Sequence, residues 1–228
     1  MYDMNKIVSS SFIAMALGML ITGCKKDNYE KPTSILSGKV IYNKEAVGVR
    51  SNGVQLELWQ HGFQLFTKIP VYVAQDGTFS ASLFDGNYKL VRLPGNGPWV
   101  NNTDSIDITV NGGTTVEVPV QPYFIIKNAT AGKSGTKVTA TFSIERVNAS
   151  QPLESATLYL GKTNIVDAVN NLKAASLSAG AIGDITAPVT INVDIPATLS
   201  GEPFFFARIG VKTAGVGELI YTQPIKIE

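Results

Sequence analysis

The chain has 228 residues, of which 44% are hydrophobic and 16% charged, a charged fraction below the ~25% of an average soluble domain and too low for a disordered polyelectrolyte. Nineteen Lys and Arg against eighteen Asp and Glu leave a net charge of +1, which supplies no field to collect nucleic acid. One Cys and one His exclude a multi-Cys zinc site and a disulfide framework; with Cys24 assigned to the N-terminal segment below, a Cys–His nucleophile is excluded too, and neither metal nor cofactor is expected.

At the N-terminus, Lys6 precedes an apolar stretch from Phe12 to Ile21 that ends in Thr22-Gly23-Cys24, the order of a basic region, a short apolar region and small residues before a cut site. Such a stretch spans ~15 Å as a helix, about half of a bilayer's hydrocarbon core, so a signal peptide over residues 1–23 is expected rather than a membrane span. Ile21-Thr22-Gly23-Cys24 resembles a bacterial lipobox, which implies acylation of Cys24 and anchoring in the lipid bilayer; the alternative is an ordinary secretory signal with an incidental Cys. Residues 24–34 lack apolar periodicity and read as the lipidated Cys and a flexible tether. Its charged start, Lys25-Lys26-Asp27, is similar to the export signals of surface-exposed Bacteroidota lipoproteins, and a plain spacer is the other reading. The implied location is the outer membrane, facing the cell exterior.

Seven short β-like runs follow between Ile35 and Gln121: 35–43, 53–60, 68–74, 78–84, 88–93, 105–110 and 114–120. They are separated by Asn52-Gly53, Asp76-Gly77, Asp85-Gly86, Asn96-Gly97 and Asn111-Gly112-Gly113, dipeptides that supply the positive-φ positions of hairpin turns. Pro119-Val120-Gln121-Pro122 interrupts any central strand and marks a domain boundary. Beyond it the runs are 123–128, 136–147, 153–161, 189–195, 203–212 and 219–228. Ile165, Val169 and Leu172 recur at i, i+4 and i+7, which predicts a short connecting helix near 165–175. The fold class expected is all-β: two antiparallel β-sandwiches in tandem, over 35–121 and 122–228.

Leu36-Ser37-Gly38-Lys39-Val40, Gly53–Leu58, Asp76-Gly77-Thr78-Phe79 and Asp85–Leu90 resemble the transthyretin-like, carboxypeptidase-regulatory type of sandwich. Phe204–Lys212 and Tyr221-Thr222-Gln223-Pro224-Ile225 are similar to the last two strands of immunoglobulin-like or fibronectin-type sandwiches. Together with the lipobox, the charged tether, Phe84-Asp85-Gly86-x-Tyr88 and Gly97-Pro98-Trp99, they resemble an uncharacterised two-domain Bacteroidota lipoprotein family, a domain of unknown function found near starch-utilisation-type glycan import systems. The resemblance implies a fold and a setting, and brings no catalytic residues; fold alone does not carry function.

The strand Val54–His61 alternates. Val54, Leu56 and Leu58 fall on one face, and Gln55, Glu57, Trp59 and His61 on the other. Trp59 beside Gln and Glu has the chemistry of sugar recognition, a flat apolar face flanked by hydrogen-bonding groups, unless a β-bulge turns it inward or another element covers it. Trp99 sits in a loop dense in turn formers, either as a binding partner for the same ligand or as a plug for the end of the sandwich. Asp104-Ser105-Ile106 resembles the short acceptor motif for O-glycans on exported Bacteroidota proteins, with Ser105 as the acceptor, and a strand start explains it as well.

Other motifs dissolve on inspection. The Asp-Gly turns lack the ligand spacing of a calcium loop, and Gly132-Lys133-Ser134 lacks the preceding Gly of a phosphate loop. No spacing singles out the carboxylate pair of a glycosidase or a triad around His61, so no enzyme is expected. The expectation is a non-catalytic surface lipoprotein that assists glycan capture and import, by binding sugar or by docking onto outer-membrane importer components. The alternative is a structural spacer or adhesion module with no small-molecule site. Lipid anchoring has a direct check: a clickable fatty acid should label the wild-type chain and leave Cys24→Ala unlabelled and released from membranes. Equal labelling of the two would remove the anchor.

Overall fold

The computed structural model describes residues 30–62 and 66–228. The expected signal segment 1–23, Cys24 and the expected tether as far as Tyr29 lie outside the described residues.

The first half is a two-sheet sandwich. One sheet holds β1 (Ser34–Tyr42), β2 (Glu45–Ala46), β5 (Thr78–Leu83) and β8 (Gly113–Pro119). The other runs in the order β4 (Lys68–Tyr72), β3 (Gln55–Trp59), β6 (Gly86–Arg92), β7 (Ile106–Val110). Alternation puts Leu36 and Val40 of β1, Leu56 and Leu58 of β3, and Tyr88 and Leu90 of β6 into the shared core. One pairing departs from the antiparallel expectation: β1 and β8 are parallel, Ile35 opposite Gly113 through Ile41 opposite Pro119. At the open end of β1, Ser34 Oγ donates to Asp85 Oδ1 at 2.5 Å and the Gly112 N–H donates to the same oxygen at 2.9 Å. These bonds hold the Asp85 carboxyl below its ordinary range and fix where the chain enters the sandwich.

The second half repeats the plan. β9 (Phe124–Ser134), β10 (Lys137–Arg146) and β13 (Val189–Asp194) form one sheet. β11 (Leu153–Gly161), β12 (Lys173–Ser178), β14 (Phe205–Thr213), β15 (Ile220–Tyr221) and β16 (Ile225–Ile227) form the other. Val138, Ala140, Phe142 and Ile144 of β10 alternate inward, whereas β11 is buried on both faces from Ala156 to Gly161. Every sheet is built from strands on one side of residues 120–123.

The helix predicted near 165–175 is corrected. Residues 165–172 form an irregular loop, and β12 begins at Lys173. The helical spacing of Ile165, Val169 and Leu172 marks no buried stripe, because all three are exposed while Val166 and Asp167 are the buried residues. Asp167 Oδ1 accepts from the backbone N–H of Val169 and of Asn170, each at 2.8 Å, a local side-chain-to-backbone bond that competes with helix formation. Among the described residues, the helices are α1 (Ala179–Ile182) and α2 (Ala197–Ser200).

The two sandwiches meet at Arg208 of β14, which is fully buried. Its Nη2 donates to the carbonyls of Val49 (2.9 Å) and Gln75 (2.8 Å) in the first half. Its Nη1 reaches Gln75 Oε1 (3.4 Å) and the Val166 carbonyl (3.3 Å), and Nε donates to the Thr222 carbonyl at 2.8 Å. The guanidinium lies 4.6 Å from the centre of the Tyr221 ring. Burial pushes its pKa down to about 10, so the group is still a cation at neutral pH. Alongside, Gly48 and Tyr221 form an antiparallel bridge, possible because Gly48 lacks the Cβ that would collide with the Tyr221 carbonyl. Arg50 holds Glu218 through two bonds, 2.6 and 3.2 Å.

Removing this guanidinium orphans carbonyls on both sides of the junction. Arg208→Met should therefore destabilise the chain by about 2–4 kcal/mol in denaturant unfolding, since each buried acceptor left without a partner costs roughly 1–3 kcal/mol. It should also open the segments around Val49 and Gln75 to proteolysis. An unchanged midpoint and cleavage pattern would show that the junction does not depend on Arg208.

Candidate functional site

The outer face of the β4-β3-β6-β7 sheet carries a cleft of about 460 Å³ at the end where β3 finishes and β6 begins. Strand register builds it. Trp59 of β3 stands opposite Lys68 of β4 and Lys89 of β6, and Lys89 stands opposite Asp107 of β7. One cross-strand row therefore reads Lys68, Trp59, Lys89, Asp107, the arrangement in which facing side chains interact most strongly. Lys89 Nζ donates to Asp107 Oδ1 at 2.5 Å. In the neighbouring row Thr109 Oγ1 donates to Asn87 Oδ1 at 2.8 Å.

Trp59 and His61 form the aromatic wall, and Phe66 packs against both of them. The Trp59 and Phe66 ring centres lie 5.0 Å apart and tilted, and His61 stacks on Phe66 at 4.6 Å. Trp59 is half-buried, while His61 and Phe66 are exposed. Beneath, Tyr88 donates its hydroxyl to the Phe84 carbonyl at 2.9 Å, and burial pushes its pKa up, so it lends the cleft a fixed neutral wall. A ligand here meets an aromatic face on one side and a row of charged and amide groups on the other.

Trp59 and His61 are thus brought together as expected. Glu57 faces outward as its phase requires, yet it is only 5% exposed. The Trp59 indole donates to its Oε2 at 3.3 Å and Lys68 Nζ to its Oε1 at 2.5 Å. Glu57 is therefore corrected from a ligand contact to the group that orients Trp59. Gln55 lies at the far end of β3 and is not part of the cleft; its backbone N–H donates to Asn96 Oδ1 at 2.6 Å.

Trp99 is also corrected: it is 4% exposed and takes its other reading, the plug. Residues 98–100 pair with the interdomain segment, Val100 N–H to the Gln121 carbonyl (2.9 Å) and Tyr123 N–H to the Pro98 carbonyl (3.3 Å). That pairing turns the indole into the core, over Gly97, where any Cβ would collide with the ring. Ser105 is exposed just ahead of β7, open to modification.

Phe66, Asn87, Lys89, Asp107 and Thr109 were not singled out from the sequence. The polar ones alternate with core residues in β6 and β7, but which strands are neighbours is set by topology. Among the described residues, no group of three or more His, Cys, Asp and Glu side chains is placed to hold a metal.

Residues 34–121 match the family described as the N-terminal domain of a protein of unknown function, DUF3823, and residues 124–226 match its C-terminal domain of unknown function. A DUF3823 family protein of Bacteroides ovatus is 42% identical with a TM-score of 0.78, over 85% of this chain and 98% of that one. One from Parabacteroides merdae is 36% identical with a TM-score of 0.80, over 87% and 100%. A Bacteroides uniformis protein provisionally described as a carbohydrate binding protein shares the fold, at 21% identity and a TM-score of 0.71 over 86% and 99%. No curated protein matches the chain.

The two Trp residues separate by fluorescence. The component lost in Trp59→Phe should be red-shifted and quenched by acrylamide, and that lost in Trp99→Phe should be protected. Trp99→Ala should cost about 3–5 kcal/mol of stability, as truncated core aromatics do, against about 1–2 kcal/mol for Trp59→Ala. Equal losses would make Trp59 a structural residue.

Proposed function

The chain belongs to the DUF3823 family, and from the aromatic cleft it carries we propose that it is a non-catalytic carbohydrate-binding accessory of glycan capture. On this reading it is anchored in the outer membrane through acylated Cys24, and the first sandwich holds sugar at Trp59. The observation that carries the reading is the row Trp59–Lys89–Asp107 beside the Trp59–His61 wall that Phe66 packs against. An aromatic face meets the C–H groups of a pyranose, and Lys89, Asp107, Asn87 and Thr109 offer donors and acceptors to its hydroxyls. The similar fold of the protein described as carbohydrate-binding supports it. A binding role fits better than hydrolysis, because cleavage of a glycosidic bond uses two carboxylates across the scissile bond. Among the described residues, Asp107 is the one carboxylate lining the cleft, and it is engaged by Lys89.

A second reading, a spacer or docking module, is favoured by the junction at Arg208, which holds two sandwiches in one fixed arrangement. A glycan array followed by isothermal titration separates the two. On the first reading the chain binds a defined set of glycans, and Trp59→Ala loses about 1–3 kcal/mol of affinity, the worth of a truncated aromatic platform, while remaining folded. No glycan binding, together with crosslinking to importer components in outer membranes, would establish the second reading instead.

A further inference from the structure

A second cleft, of about 330 Å³, opens where β6 ends, and Arg92, Asn101, Asn102 and Gln121 supply its polar lining. Arg92 occupies a core position: it continues the inward phase of Tyr88 and Leu90 and is 8% exposed. Its Nη1 donates to the Pro119 carbonyl at 2.7 Å and its Nη2 to the Asp104 carbonyl at 3.0 Å. Its Nε is buried with no hydrogen-bond partner. The charge is held by neutral carbonyls alone, and no acidic side chain lines the cleft; Asp104 and Glu117, each two residues from a lining residue, are exposed and outside it. A buried guanidinium in that position is an incompletely compensated cation.

The remaining groups have the same polarity. Asn101 Oδ1 accepts from the Gly95 N–H and Asn102 Oδ1 from the Asp104 N–H, both at 2.7 Å. Because both partners are backbone donors, the amide oxygens are fixed on them and the NH₂ groups are what each Asn has left to offer. Two of the lining carbonyls are already engaged: Arg92 takes that of Pro119, and the Val100 N–H takes that of Gln121. The cleft is thus a donor-rich pocket around a cation, the complement of an anion. A guanidinium pairs with a carboxylate or a phosphate through parallel N–H donors, and the single charge of a carboxylate matches the single charge of Arg92.

We propose that the Arg92 cleft is a binding site for a small carboxylate-bearing ligand of the size of a uronic acid. The volume lies at the lower end of small-ligand sites, roughly 300–1,000 Å³, which suits one sugar ring. The site lies at the opposite end of β6 from the Trp59 cleft, and the inference does not rest on the sugar-binding reading of that cleft.

The test uses the whole chain carrying Trp59→Ala, which removes the first platform and leaves Trp99, whose neighbour Val100 lines this cleft, as the sole Trp. Sodium glucuronate should bind saturably in calorimetry and perturb Trp99 emission, and glucose, the same ring without the carboxylate, should do neither. Asn101→Asp with Asn102→Asp keeps both oxygens that cap the backbone and replaces both donors with anionic oxygens. It should weaken glucuronate binding at least tenfold while leaving the melting curve close to that of its parent. Arg92→Gln should abolish binding; if it fails to fold, the Asn pair still decides. Absence of glucuronate binding, equal binding of glucose, or undiminished binding by the Asp pair would each overturn the proposal.

Discussion

A buried cation with no carboxylate in hydrogen-bond contact has to be surrounded by other oxygens, and Arg208 finds them only where both sandwiches meet. Of its five hydrogen bonds, three go to Val49 and Gln75 of the first half and two to Val166 and Thr222 of the second. Neither half alone satisfies the fork, and an unsatisfied guanidinium in the interior is among the costlier defects a fold can carry. Docking is therefore a condition for the burial of Arg208. The details around it serve the same end. Gly48 lets two backbones touch, Tyr221 supplies a ring for the charge, and the Asp167 turn delivers the Val166 carbonyl from a loop of no regular structure.

That dependence explains which parts of the molecule were legible in the sequence. Period-two alternation is a local signal, and it located most strands of both sandwiches, though not β2 or β12, because a strand with one face in oil must alternate whatever it pairs with. It also placed Trp59 outside the core and beside His61. The loop 165–172 misled because helical spacing of apolar residues is informative only where those residues are buried. Here the requirement was to bring Val166 to Arg208, and Asp167 fixed the turn that does so. Trp99 and Glu57 were misplaced for a related reason. Each is buried by a distant partner, the interdomain segment for Trp99, and Lys68 with the Trp59 ring for Glu57. Pairing at a distance has no signature in either segment read alone.

The strand β6 shows how much chemistry one alternation distributes. Its outward residues Asn87 and Lys89 join Thr109 and Asp107 on the sheet face, where water screens each charge and the ion pair contributes little to stability. Such groups are free to exchange their partners for a ligand's hydroxyls. Its inward residues Tyr88 and Leu90 build core, and the next one in phase, Arg92, carries a charge into a position that an aliphatic side chain would fill at no electrostatic cost. The protein pairs that cation with two backbone carbonyls and leaves its buried Nε–H without a partner. A net charge of +1 would hide this entirely, since the electrostatics that matter are those of single groups in dry surroundings.

On the proposed function, the fixed junction and an open cleft belong together. A cleft on a sheet face covers a sugar from one side, so most of a bound glycan stays hydrated and the affinity of a single site stays modest. Modest sites become effective when geometry lets several engage one chain, because the second contact is then intramolecular and its effective concentration is set by the spacing between sites. A flexible linker would spread that spacing over many values. Arg208, the Gly48–Tyr221 bridge and the Arg50–Glu218 pair hold the second sandwich in one arrangement against the first. The exposed Ile165, Val169 and Leu172 are then carried at a set distance from Trp59 on a loop tied to Arg208 through Val166. What looks like a cost to the core at one buried arginine thus gives the molecule defined distances between its surfaces, and a weak binder displayed on a membrane needs defined distances to act on a polymer.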